Sequence, residues 1–301
     1  MRSFYDTKAC CHSPMAHCVQ EVFSNTNTTT EQNSTSNLLA HIRYATHGKV
    51  LVENLHPFVR ELWGISWCFA HNGDLAQFAN ISEGHHVLLG KSRSKNLSYH
   101  AIGDTDSEAV FCAILDALKA EFQCLPTLSE LHAFLLKLCA EIEGEGDIFN
   151  FILLCGPHLL FAYSLPGHRP ESQTWNGLYY LVRTPSSTPK APNDLADEDY
   201  CLKIPATPNS YRTNAATSGD SSGTATPQDA QRIAIIATKP LTNEAGWIEM
   251  KPHELLMFDR GVPHSKSKDF DTMERQGRGL SSKCMPKEHC PVCQGTPITK
   301  G

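Results

Sequence analysis

The sequence predicts an α+β domain in which short strands are covered by amphipathic helices. Three observations predict it. Phe149–Cys155 and Leu159–Ser164 are apolar runs split by Gly156-Pro157, the pattern of a β-hairpin. Two stretches open on a Thr with Glu three residues later and continue with apolar residues at helical spacing, from Thr105 and from Thr127. Short apolar runs elsewhere stop abruptly at Gly, Asn and His, as buried strands do when they reach a rim. Helices with one apolar face need a sheet beneath them, and two sheets would be sandwiched.

The totals bound the rest. A chain of 301 residues buries a substantial core, and 41% hydrophobic content suits a globular fold. A net charge of −6 gives no basic field for nucleic acid. No apolar run reaches spanning length and the start lacks a signal-type apolar core, so a cytoplasmic protein without a membrane partner is expected. In that compartment the 12 cysteines are thiols or metal ligands rather than a disulfide frame.

Taken in order, Met1–Asp6 resembles the end of a strand, and residues 24–37, rich in Asn, Thr and Ser, form a loop insertion. Residues 38–75 organise the chain. Leu38–Ile42 is expected as a strand running into Arg43, Thr46 and His47, and Trp67–Ala70 as one running into His71, Asn72, Gly73 and Asp74. Asn72-Gly73 reads as a hairpin turn or as an oxyanion hole. Arg43 is a surface charge or a buried guanidinium that requires a carboxylate. His56-Pro57-Phe58 is expected as a rigid loop, with His56 a hydrogen-bonded structural residue.

Residues 76–102 are polar and loop-like. The first helix follows, with Thr105 and Glu108 fitting a capping box and Asp106 in the first turn, where it favours the helix dipole. The second starts at Thr127 and presents Leu131, Phe134, Leu135, Leu138 and Ile142 on one face. After the hairpin come short strands at Tyr179–Val182, Arg232–Thr238 and Glu254–Phe258, and Tyr200–Ile204 is a further candidate. Residues 205–230 lack periodicity and are expected to be disordered. The domain is expected over 1–262, followed by a flexible tail, 263–301. That tail holds Cys284, Cys290 and Cys293 with His289, read as free thiols in preference to a zinc site, so no metal is assigned.

His-Ile-Arg-Tyr-Ala-Thr-His-Gly at 41–48, Asn54–Phe58, His71-Asn72-Gly73 and Gly103–Glu108 occur in an order that resembles the glutaminase domain of class II glutamine amidotransferases. Glu53-Asn54-x-His56-Pro57-Phe58-x-Arg60-Glu61-Leu62-Trp63-Gly64 resembles the YafJ-like branch, and Ala237-Thr238-x-Pro240-Leu241-Thr242 fits the same family. The resemblance spans about 1–183 and 231–262. It implies the four-layer α/β/β/α sandwich of N-terminal nucleophile hydrolases, N-terminally truncated, and no cofactor. It implies that Arg43 holds the α-carboxylate of glutamine, that Asp106 holds its α-amino group and that Thr46 and His47 line the pocket. Asn72 and Gly73 would stabilise the oxyanion formed as a cysteine attacks the γ-amide.

The family's nucleophile is a Cys directly after the initiator Met, and here that position is Arg2. Three readings are open: a chain begun downstream of its natural start, a non-catalytic γ-glutamyl-binding or scaffold subunit, or processing that exposes Cys10 or Cys11. The expected ligand is glutamine or another γ-glutamyl small molecule, and delivery of ammonia to an acceptor would require a partner protein.

Overall fold

The computed structural model describes residues 3–24, 37–43, 49–79, 87–90, 97–157, 159–183, 232–259 and 261–265. Its organising strand, β2 (Ile65–Asp74), continues unbroken through Asn72 and Gly73. It is preceded by β1 (Phe58–Leu62), joined to it by Trp63-Gly64 with φ of 57° and 74°. Two successive positive φ values give the type I′ geometry whose twist matches paired strands. The sequence pattern does not reveal this hairpin, because bulky Trp63 holds the turn position that Asn or Asp would normally advertise.

α2 (Asp106–Glu121) and α3 (Leu128–Ile142) form where the capping signals place them. Thr127 and Glu130 close a complete capping box. Only half of the corresponding box forms at α2: the Thr105 hydroxyl accepts the Glu108 N–H at 3.3 Å. The Glu108 carboxylate turns instead to the Arg60 guanidinium and accepts the N–H groups of Ile102 and Gly103 at 3.0 and 2.7 Å. A buried carboxylate takes the cation and the two uncapped loop amides in preference to one cap N–H.

β3 (Ile148–Cys155) and β4 (Leu159–Leu165) form the hairpin expected around Gly156, which has φ +64°. Two short strands, β5 (Gly167–His168) and β6 (Trp175–Asn176), pair with each other. β7 (Tyr179–Arg183) is flanked by β8 (Ile233–Ala237) and β9 (Ile248–Glu249) in a three-stranded sheet. β10 (Glu254–Asp259) and β11 (Val262–His264) complete a six-stranded sheet ordered β1-β2-β3-β4-β10-β11, antiparallel at every pairing.

Two apolar clusters lie on the opposite faces of that sheet. Trp67, Phe69, Phe149, Phe151 and Phe161 pack with α2 and α3. Cys68, Leu154, Ala162 and Phe258 pack with Leu178, Tyr180, Ile236 and Met250 of the smaller sheet and its flanks. The described residues thus make three layers, helix on sheet on sheet.

Two expected strands are absent among the described residues. Residues 3–6 belong to no ladder there and are followed by a 3-10 turn at Cys10–His12 and by α1 (Pro14–Ser24). Leu38–Ile42 is also irregular: it has no ladder among the described residues, and Leu38 and Ile42 are 65% and 68% exposed. An apolar run predicts a strand only where a neighbour accepts its backbone groups. Residues 25–36, 184–231 and 266–301 lie outside the described set, and with them most of the expected loop insertion, the Tyr200–Ile204 strand, the 205–230 segment and Cys284, His289, Cys290 and Cys293.

Candidate active site

Side chains alternate along β2, so Phe69 and His71 face the helices while Cys68 faces the second sheet. β1 accompanies β2 only as far as Phe58↔Phe69, whereas β3 accompanies it to Asp74↔Ile148. Past Phe69 the strand therefore has a ladder on one edge only among the described residues. Asn72 and Gly73 sit on this half-open stretch and are half-buried. Their pairing with Asn150 and Phe149 removes the hairpin-turn reading of Asn72-Gly73.

Gly73 is required by its surroundings. A Cβ there would lie 1.8 Å from the Ile148 carbonyl oxygen and 2.7 Å from His71 Nε2. The neighbouring carbonyls are held from behind. Asn150 Nδ2 donates to Asn72 O at 3.2 Å, and Arg169 Nη2 donates to Gly73 O at 3.4 Å while its Nε bonds the Asp74 carboxylate at 2.6 Å. Asn150 is itself fixed by the Ser164 hydroxyl, which donates to its Oδ1 at 2.8 Å. The sequence alone does not single out Asn150 and Arg169, since they lie far along the chain in runs that carry no motif.

Asp106 opens α2, as expected. Its carboxylate accepts the Leu75 N–H at 2.9 Å through Oδ2 and the Ser107 N–H at 2.7 Å through Oδ1. His71 Nδ1 lies 2.9 Å from the Ser107 hydroxyl. The helix start and the end of β2 are thereby one hydrogen-bonded unit.

Arg43 is half-buried and donates from Nη1 to the Lys49 carbonyl at 3.2 Å. Thr46 and His47 lie outside the described residues. His41 and His56 lie near Arg43, and His71 is near both of these histidines. The His41 and His56 rings are 4.2 Å apart, and His56 meets Phe58 edge-on at 4.7 Å. Burial lowers all three pKa values. His41 falls to about 4, with the charges of His71 and Arg43 adding to burial. His56 falls well below the ordinary range for the same reasons, with His41 contributing as well. His71 is lowered less simply, because Asp106 opposes the desolvation. These rings are neutral at pH 7. His56 Nδ1 is buried without a hydrogen-bond partner among the described residues, so the hydrogen-bonded role expected for His56 does not involve this nitrogen. No metal-binding cluster of His, Cys, Asp or Glu occurs among the described residues.

The chemistry on offer is therefore a guanidinium near two neutral imidazoles, a carboxylate at a helix start beside a third, and a constrained Asn-Gly step. The cysteines of the core add no nucleophile. Burial pushes Cys68 and Cys112 up to about 12 and raises Cys139 and Cys155 as well, which suppresses the thiolate.

Comparison with known proteins bears on this arrangement. The family profile described as class-II glutamine amidotransferases matches residues 1–278. A Haemophilus influenzae protein named "Putative glutamine amidotransferase" is 31% identical over 264 residues, 87% of this chain and 70% of its own length. The Escherichia coli protein named "Putative glutamine amidotransferase YafJ" is 28% identical over 261 residues, 86% of this chain and 80% of its own. Among solved structures, a "predicted glutamine amidotransferase" of Pseudomonas aeruginosa superposes with a TM-score of 0.48 at 25% identity, over 71% of this chain and 66% of that one. Among the described residues no helix is long and apolar enough to cross a membrane.

Proposed function

The chain belongs to the class II glutamine amidotransferase family, and on that premise we propose that the Arg43–Asp106 pocket binds glutamine or another γ-glutamyl amide for hydrolysis at the γ-carbon. Arg43 pairs with the α-carboxylate, where a planar guanidinium makes two parallel bonds. Asp106 takes the α-ammonium group. Asn72 and the Gly73 N–H then face the side-chain carbonyl and stabilise the oxyanion that develops on attack, a contribution of about 3–4 kcal/mol per donor in comparable sites. Thr46 and His47 line the same pocket. A cysteine thiolate forms the γ-glutamyl thioester as ammonia or an amine leaves, and water then releases glutamate.

One observation carries this reading. The Asp106 carboxylate is bonded to Leu75, two residues beyond Gly73, so the amino-group ligand and the oxyanion step belong to one rigid unit. The open edge of β2 past Phe69 supports it too, because a backbone N–H outside the ladder is free to meet an oxyanion. For the complete domain we propose the four-layer α/β/β/α sandwich, in a cytoplasmic protein that passes ammonia to a partner chain or releases it.

A second reading shares the pocket: a γ-glutamyl-binding subunit that does not turn over. It is favoured by the suppressed thiols of the core. Two measurements decide. Calorimetric titration with glutamine tests the pocket, and Arg43→Ala binding glutamine as tightly as the parent would remove the assignment. Ammonia release by this polypeptide and by a form headed by a Met-Cys strand tests turnover. Release only from the extended form supports the hydrolase, and release from neither supports the binding subunit.

A further inference from the structure

Two residues of the proposed pocket, Arg43 and Asp106, come from separate segments, and something must set the gap between them. Arg43 donates to the carbonyl of Lys49 at 3.2 Å. Asn54 Nδ2 donates to that same carbonyl at 2.9 Å. Its Nδ2 also donates to the Asp104 carboxylate at 2.6 Å, and its Oδ1 accepts the Asp104 N–H at 3.0 Å. Asp104 stands two residues before Asp106, just outside the N-cap Thr105.

Asn54 is fully buried, at 0% exposure, and its amide is used on both sides. The partners fix its orientation, since Lys49 O requires a donor and Asp104 N–H an acceptor. The fit is close. A Cβ at Gly103 would lie 2.1 Å from Asn54 Oδ1 and 2.9 Å from Glu53 O. From the other side, Glu108 holds the N–H groups of Ile102 and Gly103 and is paired with Arg60. Residues 102–104 are thus gripped between two buried side chains. Other residue types fail at position 54. Aspartate offers no donor and would oppose both Lys49 O and the Asp104 carboxylate, and serine is too short to reach both partners.

We propose that Asn54 is a positioning residue: its amide clasps the Arg43 segment to the start of α2 and so sets the spacing at which the pocket grips the two charged ends of one amino acid. This rests on the pocket reading above. A ligand that uses both ends depends on the clasp, and a ligand that uses one end does not.

The test compares glutamine with 4-aminobutanamide, which keeps the amino group and the amide, both held on the Asp106 side of the clasp, but lacks the α-carboxylate that Arg43 takes. Asn54→Ala is expected to bind glutamine about tenfold more weakly, as when one charge-assisted hydrogen bond is removed, with 4-aminobutanamide changed by less than about threefold. Asp104→Ala, at an exposed position, keeps the core intact and is expected to give a smaller loss in the same direction. Equal losses for both ligands, or glutamine binding within about twofold of the parent in both variants, overturn the proposal. Hydrogen exchange gives a readout independent of ligand: in Asn54→Ala the Asp104 amide should exchange faster while the β3 amides stay protected. Unchanged Asp104 exchange overturns the clasp whether or not glutamine binds. A parent chain that binds no glutamine, yet loses Asp104 protection on substitution, refutes the pocket and leaves the clasp standing.

Discussion

The Asp106 carboxylate accepts the backbone N–H of Leu75 at 2.9 Å, which ties the first turn of α2 to the strand that carries Asn72 and Gly73. The same side chain is proposed to receive the α-ammonium group of the ligand, so structural and binding roles fall on one carboxylate.

Replacing Asp106 separates these roles. Asp106→Asn keeps an oxygen for Leu75 but removes the charge, and should cost about 2 kcal/mol of glutamine binding, roughly thirtyfold, with little loss of stability. Asp106→Ala should lose the same binding and about 1 kcal/mol of stability as well. Calorimetry and thermal unfolding of the two variants check the distinction.

Gly73→Ala introduces a methyl group where only 1.8 Å separates it from a backbone oxygen. Ile148 is part of the β2–β3 ladder and cannot move aside without opening it. The variant should lose about 3 kcal/mol or more, at the upper end for overpacking, read as a fall in the denaturant midpoint.

Arg60→Met leaves the Glu108 carboxylate buried without its cation. Removing one partner of such a pair costs about 3–5 kcal/mol, and the lower end is expected because Arg60 is partly exposed. Arg60→Met together with Glu108→Gln should recover part of the loss. A double-mutant cycle on unfolding free energies measures the coupling.

The neutral histidines predict an acid limb of stability. Folding depresses the His41 pKa to about 4 and the His56 pKa below its ordinary value, so the unfolded chain binds more protons than the native one. Their contribution is present above about pH 6.5, falls as the pH drops below that unfolded value, and is lost on passing the folded pKa. His56→Phe removes one titrating ring, and the unpartnered Nδ1 forfeits no bond to a described residue. Unfolding midpoints between pH 7 and pH 5 should therefore fall less steeply in this variant than in the parent.

Much of the architecture is legible in the sequence because it rests on local signals. Thr127 and Glu130 announce α3, and Gly156 announces the β3–β4 hairpin. Other features depend on partners that no local pattern reveals. Glu108 fits a capping box by spacing, yet a cation on β1 draws its side chain away. Leu38–Ile42 has the composition of a strand but no ladder among the described residues. At the site, residue types identify Arg43, Asp106 and the Asn72-Gly73 step, whereas the supports of that step, Asn150 and Arg169, emerge only once β3, β4 and the β5 edge are brought against β2. Asn54 lies within a recognisable motif, but its part as a link between segments is a tertiary property.

The strand order also has a kinetic consequence. The six-stranded sheet consists of three sequence-local hairpins, β1–β2, β3–β4 and β10–β11, laid edge to edge. Hairpins of this kind close in about 1–10 μs, while pairings between distant segments must first overcome chain entropy. Two such joins, β2 to β3 and β4 to β10, are therefore expected to limit the refolding of this sheet. The β2–β3 join is also the one that completes the Asn72-Gly73 surroundings, so the pocket matures with the slow assembly of the sheet and not with its fast local turns.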